Sequence, residues 1–236
     1  MTNKTFNIDT LGILHSPFKE KFAIPRQPRL VPEAIGRLQM LPPYHTEAFV
    51  RDLRQFSHLW LLFMFHQNLE KGWTPTIRPP RLGGNKKIGV FASRATFRPN
   101  GIGMSAVKLI DIVNGPGGIE LILGGVDLLD QTPIIDIKPY LPYSDIISDA
   151  DAGFADARPD NAMTVSFTVE AQSQCLQFEQ KHPGLQTLIK KILLEDPRPA
   201  YKKNSTEKQS YGVKLYDLNV TWQVIGEYTI VTAVEG

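Results

Sequence analysis

Apolar and polar residues alternate at period two through most of the first two thirds of the chain. The alternation predicts strands at Phe6–Leu14, His58–Phe65, Ile88–Ala92, Ala106–Ile112, Ile119–Leu123 and Ile134–Ile137, each with one face to bury. Many short strands with few helices point to a barrel or a sandwich. One helix is expected among them, at Thr46–Leu53, where a capping threonine precedes an acidic first turn at Glu47. Between Ser144 and Asn161 the sequence turns rich in Asp, Ala and Gly and loses its periodicity, which places a domain boundary there. Beyond it follow a strand at Met163–Val169, helical patterns at Ala171–Lys181 and Leu185–Leu194 separated by His182-Pro183-Gly184, and three strands from Tyr211 onward. The expected fold class is mainly β with an α+β appendage.

A chain of 236 residues has material for one or two domains with a sizeable core. Its hydrophobic content of 42% against 21% charged residues excludes a disordered polymer. No apolar run reaches the roughly 18 to 20 residues of a membrane span. The opening Met1-Thr2-Asn3-Lys4-Thr5 carries no apolar leader, so a cytoplasmic protein is expected. Cys175 is the single cysteine, which removes disulfide frameworks and cysteine-based zinc sites. The formal net charge of +2 conceals a segregation. From Lys71 to Ile110 every charged residue is basic: Lys71, Arg78, Arg81, Lys86, Lys87, Arg94, Arg98 and Lys108. From Asp111 to Glu170 aspartates dominate, opposed only by Lys138 and Arg158. The cationic block suits phosphates, or equally forms solvated loops paired with the acidic block.

Gly101-Ile102-Gly103-Met104-Ser105-Ala106 matches the spacing of a dinucleotide-binding turn, but its surroundings do not fit. A turn, Arg98-Pro99-Asn100, precedes it, and a strand-like alternation follows where a helix would be required. The five histidines show no ligand spacing, so no metal site is expected. No nucleophile elbow or activated cysteine is present, which leaves covalent catalysis unsupported. His66 ends the apolar run Trp60–Phe65 and exposes hydrogen-bonding groups at a strand end, as a site residue or simply as the strand's exit. Two long segments, Ser16–Arg29 and Gly72–Asn85, interleave proline with arginine and lysine. Loops of that length usually serve a function. Phe22 and Trp73 within them offer faces for stacking bases, or pin the loops to the body.

Taken together, these segments resemble the TrmO family, barrel methyltransferases formerly called TsaA-like or YaeB-like proteins. The run Gly89-Val90-Phe91-Ala92-Ser93-Arg94-Ala95-Thr96-Phe97-Arg98-Pro99-Asn100 is similar to that family's signature. Ser16-Pro17 with Pro25-Arg26-Gln27-Pro28, Phe56–Trp60 with Phe65-His66-Gln67, Arg78–Asn85, and Asp136-Ile137-Lys138-Pro139-Tyr140 support it. Asp196-Pro197-Arg198-Pro199-Ala200-Tyr201 resembles the C-terminal element of bacterial members. The resemblance implies a small β-barrel at residues 5–145 that binds S-adenosylmethionine, and a C-terminal α+β domain at 160–236 that recognises tRNA. It further implies a homodimer that methylates N6 of threonylcarbamoyl-adenosine beside the anticodon of threonine tRNA, without a metal or a membrane partner.

Family cofactor contacts match here at Pro25, Arg26, Gln27, His66, Gln67, Arg94, Met104, Asp127, Leu128, Leu129 and Asp130. A sulfonium donor needs chiefly to be positioned in line with its acceptor. The cofactor's ammonium and hydroxyls call for acceptors such as Asp127 and Asp130, its carboxylate for Arg26 or Arg94. The acceptor nitrogen must lose a proton, for which Asp136 is the candidate base, with His66 and the substrate's own carboxylate as competitors. Lys19, Arg98, Asn100, Lys138, Arg198 and Tyr201 are the candidates for binding substrate. A passive RNA-binding barrel is the alternative reading, and hydrolysis of a small adenylated compound a third that lacks a visible nucleophile.

Overall fold

The computed structural model describes residues 5–157, 163–199, 202, 203, 205 and 207–236. In chain order the first part holds β1 (Gly12–His15), β2 (Ile35–Met40), β3 (His58–Met64), β4 (Thr76–Ile77), β5 (Ile88–Gly89), β6 (Ile102–Gly115), β7 (Gly118–Gly124) and β8 (Thr132–Pro139). A single-turn helix, α1 (Pro142–Asp145), follows. The second part holds β9 (Thr164–Phe167), α2 (Val169–Phe178), α3 (Leu185–Leu194), β10 (Gln209–Leu215), β11 (Leu218–Ile225) and β12 (Tyr228–Glu235).

Six strands close into an antiparallel barrel in the order β1-β2-β7-β6-β3-β8. The alternation read in the sequence is its inside-outside pattern: Leu59, Leu61 and Phe63 of β3 point inward with Leu121 and Leu123 of β7 and Ile134 of β8, all buried. Closure leaves no sheet edge exposed in the barrel. One bulge interrupts the β3–β8 pairing between Leu62 and Phe63, which re-aims side chains beside the site described below. In the second part, β10-β11-β12-β9 form a sheet whose last pair is parallel, covered by α2 and α3. Thr168 caps α2 by accepting a hydrogen bond from the Ala171 amide at 3.1 Å.

Several expectations require correction. Residues 46–55 form two 3-10 turns, Glu47–Val50 and Leu53–Gln55, where a helix was expected. Thr46 makes no side-chain cap there, and Asp52 adopts a left-handed φ of 63° that breaks the run. The strand expected at 88–92 stops after Gly89 and turns, so that Val90 is buried and Phe91 exposed. The first strand begins at Gly12, not Phe6, because Phe6 and Ile8 have nothing to cover them. β2 was not anticipated. The apparent dinucleotide turn is the start of β6, and its glycines answer to steric demands. Gly101 has a φ of 62°, and a Cβ on Gly103 would lie 2.4 Å from the Phe63 ring.

The two parts share a contiguous core. The segment 16–29 lies between them: Phe18 bridges to Leu215, the Tyr216 amide donates to the Pro17 carbonyl at 2.8 Å, and Glu20 accepts from the Lys214 amide at 3.0 Å. Phe22 stacks on Trp222 at 5.8 Å and on Tyr211 at 6.0 Å between ring centroids. Phe22 is therefore a pin, not a free face for a base, whereas Trp73 is 63% exposed. Among the described residues no helix is long and apolar enough to cross a membrane.

Candidate active site

A cleft of about 520 Å³ opens where four segments converge on the outer face of the barrel. Residues that pair across β3 and β6 share a face, so Leu62 with Met104, and Met64 with Ile102, form its floor. Residues 21–28 form one wall, the turn after β3 another, and residues 93–98 and 127–132 the remainder. The volume is that of an ordinary small-molecule site.

Most of the residues expected to hold a cofactor meet in this cleft: Pro25, Arg26 and Gln27 from the first wall, His66 and Gln67 from the turn, and Arg94, Met104, Asp127, Leu128 and Leu129. Among the described residues Asp127 is its one lining carboxylate. Burial pushes its pKa up to about 6, against the opposing pull of a hydrogen bond from Ser105 Oγ at 2.6 Å and of the Arg94 guanidinium. Arg94 Nη1 donates to Gln27 Oε1 at 2.8 Å, which joins the signature loop to the first wall. Burial lowers the pKa of His66, countered in part by the Met64 backbone and reinforced by Lys21, so its imidazole is neutral at pH 7.

Asp130 does not line the cleft. It accepts from the Ser16 amide at 2.9 Å and from Lys19 Nζ at 2.6 Å. Burial alone would raise its pKa, but these bonds outweigh that and hold it below the usual carboxylate value. Asp130 thus fastens the start of the 16–29 segment to the barrel, and Lys19 is committed to the same pair.

The expected substrate residues scatter. Arg98 reaches the cleft while its Nη1 donates to the Ser93 carbonyl at 3.1 Å and the Ala95 carbonyl at 3.4 Å, bracing the turn it belongs to. Asn100 occupies the left-handed position of that turn, with φ at 67°. Asp136 and Lys138 pair with each other at 2.8 Å on β8, outside the cleft lining, although Asp136 is the cross-strand neighbour of Leu62. Arg198 is 3% exposed and grips Asp196 with Nε and Nη2 at 2.8 and 3.2 Å, so its guanidinium is built into the fold and not presented to a ligand. Tyr201 lies outside the described residues. The sequence reading passed over Lys21, Asn68 and Thr96, which also line the cleft. Lys21 sat within the 16–29 loop already singled out, and Asn68 follows directly on His66-Gln67, but only the folded geometry unites them.

The arrangement suits a ligand that carries positive charge, a carboxylate and an apolar part. Asp127 offers a half-buried carboxylate to positive charge, Arg26 and Arg94 offer guanidiniums to a carboxylate, and Leu128, Leu129 and Met104 offer apolar surface. The comparisons with known proteins agree with it. The tRNA-methyltransferase O N-terminal domain matches residues 13–146, and the TrmO C-terminal domain matches residues 160–236. A tRNA (adenine(37)-N6)-methyltransferase of Escherichia coli is 50% identical over 93% of this chain and 94% of its own length. A Pseudomonas aeruginosa protein named as an S-adenosylmethionine-dependent methyltransferase is 48% identical over 92% of both. The crystal structure of TrmO from Pseudomonas aeruginosa superposes with a TM-score of 0.82 at 41% identity, covering 99% of each chain. The chain carrying this cleft belongs, over both its parts, to the tRNA-methyltransferase O family.

Proposed function

We propose that this chain methylates N6 of adenosine 37 of tRNA with S-adenosylmethionine as donor, the reaction in the name of its 50% identical relative. We further propose that the accepted adenosine bears a threonylcarbamoyl group, in threonine tRNA, and that the enzyme works in the cytoplasm as a homodimer. The observation that carries the reading is the half-buried Asp127 facing Arg94 in an apolar cleft, the charge pattern such a donor requires. When bound, the donor supplies an electrophilic methyl group. Asp127 would receive the positive charge of its amino acid end, and Arg26 or Arg94 its carboxylate. The loops then hold the acceptor nitrogen in line and exclude water, which accounts for most of the rate in a transfer without covalent help.

The acceptor nitrogen sheds a proton at or before attack. Asp136 is the proposed base: it is carried on the outward face of β8 beside Leu62, where Lys138 pairs with it. His66 is the competing choice because it lines the cleft and is neutral. Met104, 51% exposed although it lines the cleft, supports a second copy covering this side. Calorimetric titration with S-adenosylmethionine tests the reading against a passive RNA-binding barrel. Saturable one-to-one binding is expected, and tRNA binding without any cofactor affinity would overturn it.

A further inference from the structure

Four cations line the cleft, Lys21, Arg26, Arg94 and Arg98, against the single carboxylate of Asp127. A zwitterionic donor brings one carboxylate and takes one guanidinium, so the cleft retains an excess of positive charge for a second anion. The cations that the sequence offered for that anion are engaged elsewhere: Lys19 by Asp130, Lys138 by Asp136 and Arg198 by Asp196. Arg94 is tied to Gln27, and Arg98 to two carbonyls.

Lys21 is differently placed. Its Nζ donates to Asn68 Oδ1, and Asn68 Nδ2 donates to Thr96 Oγ1 at 3.0 Å. Asn68 is 5% exposed, so one buried amide fixes an ammonium on one side and a hydroxyl on the other. The ammonium keeps two N–H groups free of that bond, and the Thr96 hydroxyl, already an acceptor, keeps its O–H to donate. Two donors of this kind, held a fixed distance apart at a cleft wall, are a receptor for a carboxylate. We propose that Lys21 and Thr96, oriented by Asn68, bind the carboxylate of the acceptor's N6 side chain and thereby select modified over unmodified adenosine. The inference rests on the proposed function, since it presupposes an N6-acylated adenosine with a free carboxylate. Burial, and then Lys71, lower the pKa of Lys21, which marks an ammonium that gains from an anionic partner.

The test uses the full chain and two anticodon stem-loops, one bearing the N6-threonylcarbamoyl group with its carboxylate free and one with that carboxylate capped as the amide. Wild-type protein is expected to bind and methylate the free acid in preference to the amide. Lys21→Met is expected to lose roughly 10- to 100-fold in kcat/KM and in affinity on the acid, the range of a charge-assisted hydrogen bond, and under about threefold on the amide. Lys21 is exposed on a loop, and an unchanged denaturation midpoint shows that the variant is folded. Equal losses on both stem-loops, no loss on either, or a matching loss of cofactor affinity would each overturn the assignment. Wild-type protein that methylates neither stem-loop would refute the proposed function itself.

Discussion

Asp127, half-buried beside Ser105, costs the native state stability. Its pKa of about 6 lies above that of an unfolded aspartate near 3.8. The native state therefore holds a proton between those values that the unfolded state has released, and stability falls as pH rises from about 4 to 6. Above pH 6 the full penalty is present, about 3 kcal/mol at most. Asp127→Asn, which keeps an acceptor for the Ser105 hydroxyl, is expected to raise the denaturation midpoint at pH 7 and to leave it unchanged near pH 4. The same substitution should weaken S-adenosylmethionine binding at pH 7, and wild-type affinity should fall as pH drops below 6. A neutral effect on stability with intact cofactor binding would show that the carboxylate is not the one used. Between the two candidate bases, Asp136→Asn should lower kcat by roughly 100-fold or more with cofactor affinity unchanged, and His66→Gln should leave kcat within a few-fold. The reverse pattern would assign the proton to His66. The convergence of Pro25, Arg26, Gln27, His66, Gln67 and Arg94 on one cleft was legible in the sequence because the family motifs are dense there. Arg198 misled because a conspicuous Asp-Pro-Arg motif says nothing about burial, and in the fold its guanidinium closes on Asp196.

The elements of the barrel announced themselves most plainly where burial alternates strictly, as in β3. β2 stayed hidden because Gly36 occupies an inward position, so Leu38 and Met40 alone carried the alternation. The 3-10 turns near residue 50 show the opposite failure: a good capping residue and an acidic turn do not make a helix when the segment is too short to repay nucleation. What no local pattern could reveal is that the wall of the cleft formed from residues 21–28 is held by the second part of the molecule. Phe22 stands outside the cleft lining and stacks against Trp222 and Tyr211. Phe22→Ala should weaken S-adenosylmethionine binding several-fold by loosening residues 21–28, an effect of about 1 kcal/mol beyond any change in global stability. Calorimetry alongside chemical denaturation would separate the two. Unchanged affinity would mean that the loop is held from the barrel side alone.

At the scale of the whole molecule the net charge is small, and its segregation along the chain is what bears on tRNA. Lys86 and Lys87 are exposed within the cationic block that runs into the signature loop. Binding of tRNA should therefore weaken linearly with the logarithm of salt concentration, and Lys87→Ala should reduce that slope by about 0.7 to 0.9 without changing cofactor affinity. A slope that is unaffected would place the RNA on another face. Transfer of a methyl group in this cleft to the N6 of a carbamoylated adenosine is read out by nucleoside mass analysis after incubation with labelled S-adenosylmethionine. The tRNA should be prepared with and without the threonylcarbamoyl group. Label confined to the carbamoylated adenosine is the expected result. Label on unmodified adenosine, or none on either tRNA despite cofactor binding, would contradict it.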